Sequence, residues 1–161
     1  MARVCRSWRE AVQLKRAYWQ RTSPGTLEWT VDLAAARKHV LVLSPIFFKG
    51  ENNFWVILYP DFRGGQDCFK LYFAPAYISP DASGSTGVEW TVTMRHHKNA
   101  AANYVRDRST VFHPSEVFTK CGVRRPIGNG GVEVPNVTSN GLVHDGTTLK
   151  IDVEVTCVGP A

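Results

Sequence analysis

No run of apolar residues in this sequence approaches the roughly 18 that a membrane-spanning helix needs, so no membrane association is expected. The opening segment, MARVCRSWREAV, scatters charge and lacks the apolar centre of a secretory signal, which predicts a cytoplasmic or nuclear protein. Cysteine is sparse: Cys5, Cys68, Cys121 and Cys157 form no CxxC, and none lies at zinc-ligand spacing from a histidine. Free, buried thiols are expected rather than a disulfide framework. There is no GxSxG elbow, no Cys/His pair and no carboxylate pair at local spacing. His96 and His97 are adjacent, so on a strand they would face opposite ways and could not clamp a metal together. His39, His113 and His144 are isolated. These absences predict no enzyme, no metal and no cofactor.

What is present suits a globular chain. Its 161 residues fit one domain with a small appendage, and 43% are hydrophobic and 11% aromatic. The net charge of +5 raises nucleic acid as a partner, with basic residues gathered at Arg3, Arg6, Arg9, Lys15, Arg16 and Arg21. No RNP-type motif or glycine-rich phosphate loop accompanies them, so a solvated basic surface is the preferred reading and nucleic-acid binding is not expected.

Along the chain, residues 2–21 recur at helical spacing through Val4, Trp8, Val12, Tyr18 and Trp19, until Ser23-Pro24-Gly25 closes the segment. This predicts an N-terminal helical segment over 1–24 and a second unit over 25–161. From there the period is two. Leu27, Trp29, Val31 and Leu33 alternate with polar residues; VLVLSPIFF reads as a buried strand broken at Ser44-Pro45. Phe54–Tyr59 is apolar on both faces, as a strand covered on both sides is. Phe69, Leu71 and Phe73 alternate with Lys70 and Tyr72, and Val88, Trp90, Val92 and Met94 with Glu89, Thr91 and Thr93. Leu149, Ile151, Val153, Val155 and Cys157 define the clearest strand of all, and 127–142 reads as a long loop. Short strands between Gly, Pro, Asn and Asp turns predict an all-β, antiparallel sandwich.

Read together, Trp29-Thr30-Val31-Asp32, Ser44-Pro45-Ile46-Phe47, Phe54–Pro60, Phe69–Phe73, Val88–Val92 and Asn140–Val143 leading to Leu149–Val155 resemble the MATH (meprin and TRAF homology) domain over about residues 26–158. The resemblance implies an eight-stranded β-sandwich that binds short extended peptides in a shallow groove across one sheet, as an adaptor does. It places Tyr72 at the centre of that groove, with Lys70, Val88, Thr110, Phe112 and Phe118 as further peptide-binding candidates. A surface tyrosine packed on a cross-strand neighbour is the other reading of Tyr72. The family's Trp-Gly-Phe turn is replaced here by Glu116-Val117-Phe118, which keeps only the last aromatic, and Phe118 reads equally as core.

The helix has its own resemblance. Val4–Arg9 with Tyr18-Trp19 is similar to the closing part of an F-box, which implies a Skp-type adaptor as partner and the substrate-recognition part of a ubiquitin ligase as role. An amphipathic helix packed on the sandwich through Trp8 and Trp19 is the alternative. No coiled coil precedes the sandwich, so a monomer is expected. Two other functions compete: a structural subunit of a larger protein or ribonucleoprotein assembly, and a carbohydrate- or ligand-binding sandwich using Trp55 and Tyr59, which share one face of their strand.

Overall fold

The computed structural model describes residues 24–39, 41–61, 68–76, 84–112 and 131–160. The predicted N-terminal helix, the Glu116–Phe118 turn and the candidate Phe118 lie outside these residues.

Period-two burial runs through nearly every described element. The strands are β1 (Thr26–Asp32), β2 (Val42–Leu43), β3 (Phe47–Lys49), β4 (Asn52–Asp61), β5 (Cys68–Pro75), β6 (Thr86–Met94), β7 (Tyr104–Phe112), β8 (Val132–Val134), β9 (Val143–His144) and β10 (Thr148–Pro160). A single-turn helix, α1 (Leu33–Ala36), follows β1, and a 3-10 turn at Ala100–Ala102 precedes β7. All pairings between named strands are antiparallel. One sheet has the order β1-β10-β6-β7 with β9 beside β10; the other has β2-β4-β5-β8 with β3 beside β4.

Both sheets turn their apolar residues onto one core. Trp29, Val31, Trp90, Val92, Ile151 and Val153 come from the first, and Phe54, Val56, Leu58, Phe69, Leu71 and Phe73 from the second. Phe73 stacks on Trp90 at 5.0 Å between ring centroids, which joins the two layers at their centre. Burying each such side chain contributes about 2–3 kcal/mol. The result is an all-β, sandwich-like arrangement of antiparallel sheets.

Local chemistry sets several boundaries differently from the sequence expectations. Ten strand segments are described, where the family resemblance implied eight. Leu33 does not extend β1: the Asp32 side chain accepts a hydrogen bond from the Ala35 N–H at 3.0 Å and caps α1, so Leu33 is buried from a helical turn. The break at Ser44-Pro45 leaves β2 and β3 along the same edge of β4, and Ser44 bridges it. Its N–H donates to the Val56 carbonyl and its hydroxyl accepts from the Val56 N–H at 2.8 Å. The expected loop at 127–142 contains β8, paired with β5 through Phe69–Val134 and Leu71–Val132.

Cys157 corrects two expectations together. A register shift between Val155 and Cys157 breaks the alternation of β10, so Cys157 is exposed instead of joining the core. Cys68 is buried, as expected, and both thiols are free.

Candidate binding face

The outward positions of β4 and β5 carry the candidate site. Because Phe69, Leu71 and Phe73 fill the core, Lys70 and Tyr72 turn to the opposite face of the sheet, where both are half-buried. On β4 the same phase turns Trp55, Ile57 and Tyr59 to this side of the sheet, opposite Phe54, Val56 and Leu58; Trp55 and Tyr59 are half-buried there and Ile57 is buried. Cross-strand register sets Leu43 beside Ile57 and Ile57 beside Tyr72, so an apolar row crosses three strands. Tyr59 pairs with Lys70, and Lys70 with Glu133 of β8.

Tyr72 leans towards the edge of this sheet. A Cβ added at Gly131, the residue before β8, would fall 2.5 Å from Tyr72 Cε1. The ring therefore rests on glycine backbone, an approach that any larger residue would block, and it covers the glycine much as aromatic residues rescue edge glycines in sheets. Tyr59 meets the Tyr72 ring edge-on, at 5.4 Å between centroids and 90° between planes. Of the two readings of Tyr72, packing on a cross-strand neighbour is thus present in the geometry, and the residue is half-buried.

The Tyr59 hydroxyl is buried and has no hydrogen-bond partner. Burial raises its pKa above the ordinary tyrosine value, and the neighbouring Tyr72 adds to the shift. The phenol is consequently neutral at physiological pH and retains an unused donor. A buried polar group left unpaired is uncommon enough to mark a place where a partner would be gained.

The other candidates are not on this face. Val88 and Phe112 are 1% and 2% exposed and point into the core from β6 and β7, in the opposite sheet. Thr110 is buried beside them and accepts a 3.0 Å hydrogen bond from the Trp90 indole N–H. The strand phase that brings Trp90 and Val92 inward also turns Val88, Thr110 and Phe112 inward, so these three side chains are packed in the core. No family model matches the chain, and no curated protein does.

Tyr59 and Gly131, which pack on Tyr72, are among the residues of this face that the sequence reading did not assign to a peptide site. Tyr59 was visible as the outward partner of Trp55. Gly131 was concealed, because Gly130-Gly131 reads as loop until β8 is known to follow.

A second cluster lies beyond the end of β6. His96 and His97 do not face opposite ways: the chain leaves the strand after Met94, and their rings stack at 4.8 Å. His96 Nδ1 accepts the backbone N–H groups of Lys98 and Asn99, and His97 Nδ1 lies 2.8 Å from the Gly141 carbonyl. His97 fastens the β6–β7 connection to Gly141, and His96 braces that connection from within. Among the described residues no group of three or more His, Cys, Asp or Glu side chains is placed to hold a metal ion.

Proposed function

We propose that this chain is a peptide-recognition module of the MATH type, an adaptor that holds short extended peptides against the outward face of β4, β5 and β8. The observation that carries this reading is the Tyr59–Tyr72–Gly131 cluster: two aromatic rings and a glycine beside a strand, with one hydroxyl unpaired. A peptide lying over it would bury an apolar side chain against the tyrosine rings, and a turn of the Tyr59 side chain would bring its unpaired hydroxyl to a peptide carbonyl. Lys70 and Glu133 flank the cluster and would favour a ligand with polar residues of both signs. A shallow groove of this kind implies a small interface and an affinity on the order of micromolar or weaker. In this reading the N-terminal segment couples the module to a Skp-type adaptor, and the peptide is part of a ubiquitination substrate.

Peptide-display selection on the purified chain tests the assignment, run beside the Tyr72→Ala and Tyr59→Phe variants. Enrichment of a motif by the parent chain, lost with Tyr72→Ala and weakened with Tyr59→Phe, is the expected outcome. Enrichment indifferent to both, or none at all, would sink it and bring forward the reading as a structural subunit of a larger assembly.

A further inference from the structure

On the opposite sheet, β7 ends the order β1-β10-β6-β7 and has β6 as its one ladder partner among the described residues. Its nine residues are largely exposed: Val105, Arg106, Asp107, Ser109 and Val111 all face solvent. An edge strand of this length and exposure is a template for another strand unless something blunts it.

The blunting is visible. The Arg106 guanidinium donates to the Val105 carbonyl at 2.8 Å, and Arg108 donates to the Asp107 carbonyl at 3.2 Å. Carbonyls two residues apart lie on the same side of an antiparallel strand. Thr91 donates directly to the Asp107 carboxylate at 2.6 Å across the β6–β7 ladder, which suits the closely spaced, non-hydrogen-bonded pair type. The backbone groups of residues 105, 107, 109 and 111 therefore turn away from β6. Two cationic side chains occupy carbonyls that an added strand would need. Among the described residues neither guanidinium is paired with a carboxylate; Arg106 lies over the Tyr104 ring, 4.3 Å from its centroid.

We infer that the outer edge of β7, unpaired among the described residues, is a second docking site, and that its occupant is an acidic, extended peptide segment that adds as a strand. Arg106 and Arg108 alternate with Val105, Asp107 and Ser109; paired with Val92 and Trp90, they lie about 7 Å apart on the core-side face at the sheet's margin, Arg106 exposed and Arg108 half-buried. Carboxylates at positions i and i+2 of the incoming strand match that spacing. Drawing the guanidiniums onto those carboxylates frees the Val105 and Asp107 carbonyls for the ligand's N–H groups, so charge recognition opens the backbone ladder. A neutral strand must compete with the arginines and gains nothing from displacing them. On the other face Asp107 and Glu89 repel acid, while Val105 and Val111 offer apolar contact, so the ligand's alternate residues are apolar. A nucleic acid could satisfy the charges but has no peptide backbone to complete the ladder.

The probes are fluorescein-labelled peptides of alternating Glu and Val, Gln and Val, and Lys and Val, plus a single-stranded oligonucleotide, titrated by anisotropy at low salt. Alternating Glu/Val is expected to bind, with Gln/Val and Lys/Val weaker by roughly tenfold or more. Double substitution Arg106→Gln with Arg108→Gln, both on the surface, should cost the Glu/Val peptide a similar factor. Bound peptide should slow amide exchange at Val105, Asp107, Ser109 and Val111. Tyr72→Ala should leave all of this unchanged, which separates this edge from the face described above. Binding indifferent to ligand charge, loss on Tyr72→Ala, unaltered amide exchange in β7, or binding of the oligonucleotide in preference to the peptide would each overturn the assignment.

Discussion

The indole N–H of Trp90 and the hydroxyl of Thr110 satisfy each other inside the core, where neither can reach water. Thr110→Val keeps the shape and leaves the indole donor unpaired, so it should destabilise the fold by about 1–3 kcal/mol. Chemical denaturation would show it, and an unchanged midpoint would mean that the indole finds another acceptor. Tyr59 presents the inverse case, a buried hydroxyl with no partner. Its folded pKa lies above the unfolded value, so its contribution to stability is fully present below about pH 10 and is lost as pH rises through the folded pKa. Tyr59→Phe should therefore flatten the alkaline limb of the stability–pH profile while leaving the neutral region alone. Denaturation midpoints compared at neutral and alkaline pH would test this, and parallel profiles for the two proteins would count against it.

β9 and β10 are joined by His144-Asp145-Gly146-Thr147, with both central residues at positive φ (50° and 71°) and the Thr147 N–H donating to the His144 carbonyl. Such a turn matches the twist of a hairpin and favours Asp-Gly. Gly146→Ala forces a side chain into the left-handed region, and a loss of about 1 kcal/mol is expected by thermal or chemical unfolding. No change would show that the hairpin tolerates another turn. Asp145-Gly146 was legible in the sequence because the residue types state the geometry. So were β4, β5, β6 and most of β10, whose inward residues alternate without interruption. Boundaries set by one hydrogen bond were not legible: the Asp32 cap on α1 and the bulge that exposes Cys157 leave no mark on the hydrophobic period. β8 escaped because three residues, Val132-Glu133-Val134, are too few to show a period among glycines. The candidate site divided along the same line. Alternation within one strand placed Tyr72 and Lys70 outward. Val88, Thr110 and Phe112 belong to the other sheet, and which sheet a strand joins is a matter of long-range register.

That register ties the early part of the chain to the late part. β1 pairs with β10 from Thr26–Glu154 to Asp32–Thr148, and β10 stands between β1 and β6. Ending the chain at Thr147 would remove a central strand, not a fringe, and take Leu149, Ile151, Val153 and Val155 from the core. Such a truncation should yield no cooperative unfolding and a poorly dispersed amide spectrum; a sharp transition would show that the remaining strands form a core alone. Contacts this distant in sequence also predict folding in milliseconds to seconds. The ribosome sharpens the point. With β10 made last among the described strands, β1 emerges without its partner and waits on the order of ten seconds for it at ordinary elongation rates. Throughout that interval Leu27, Trp29 and Val31 have no sheet to join, and the nascent polypeptide depends on whatever shields them in the meantime.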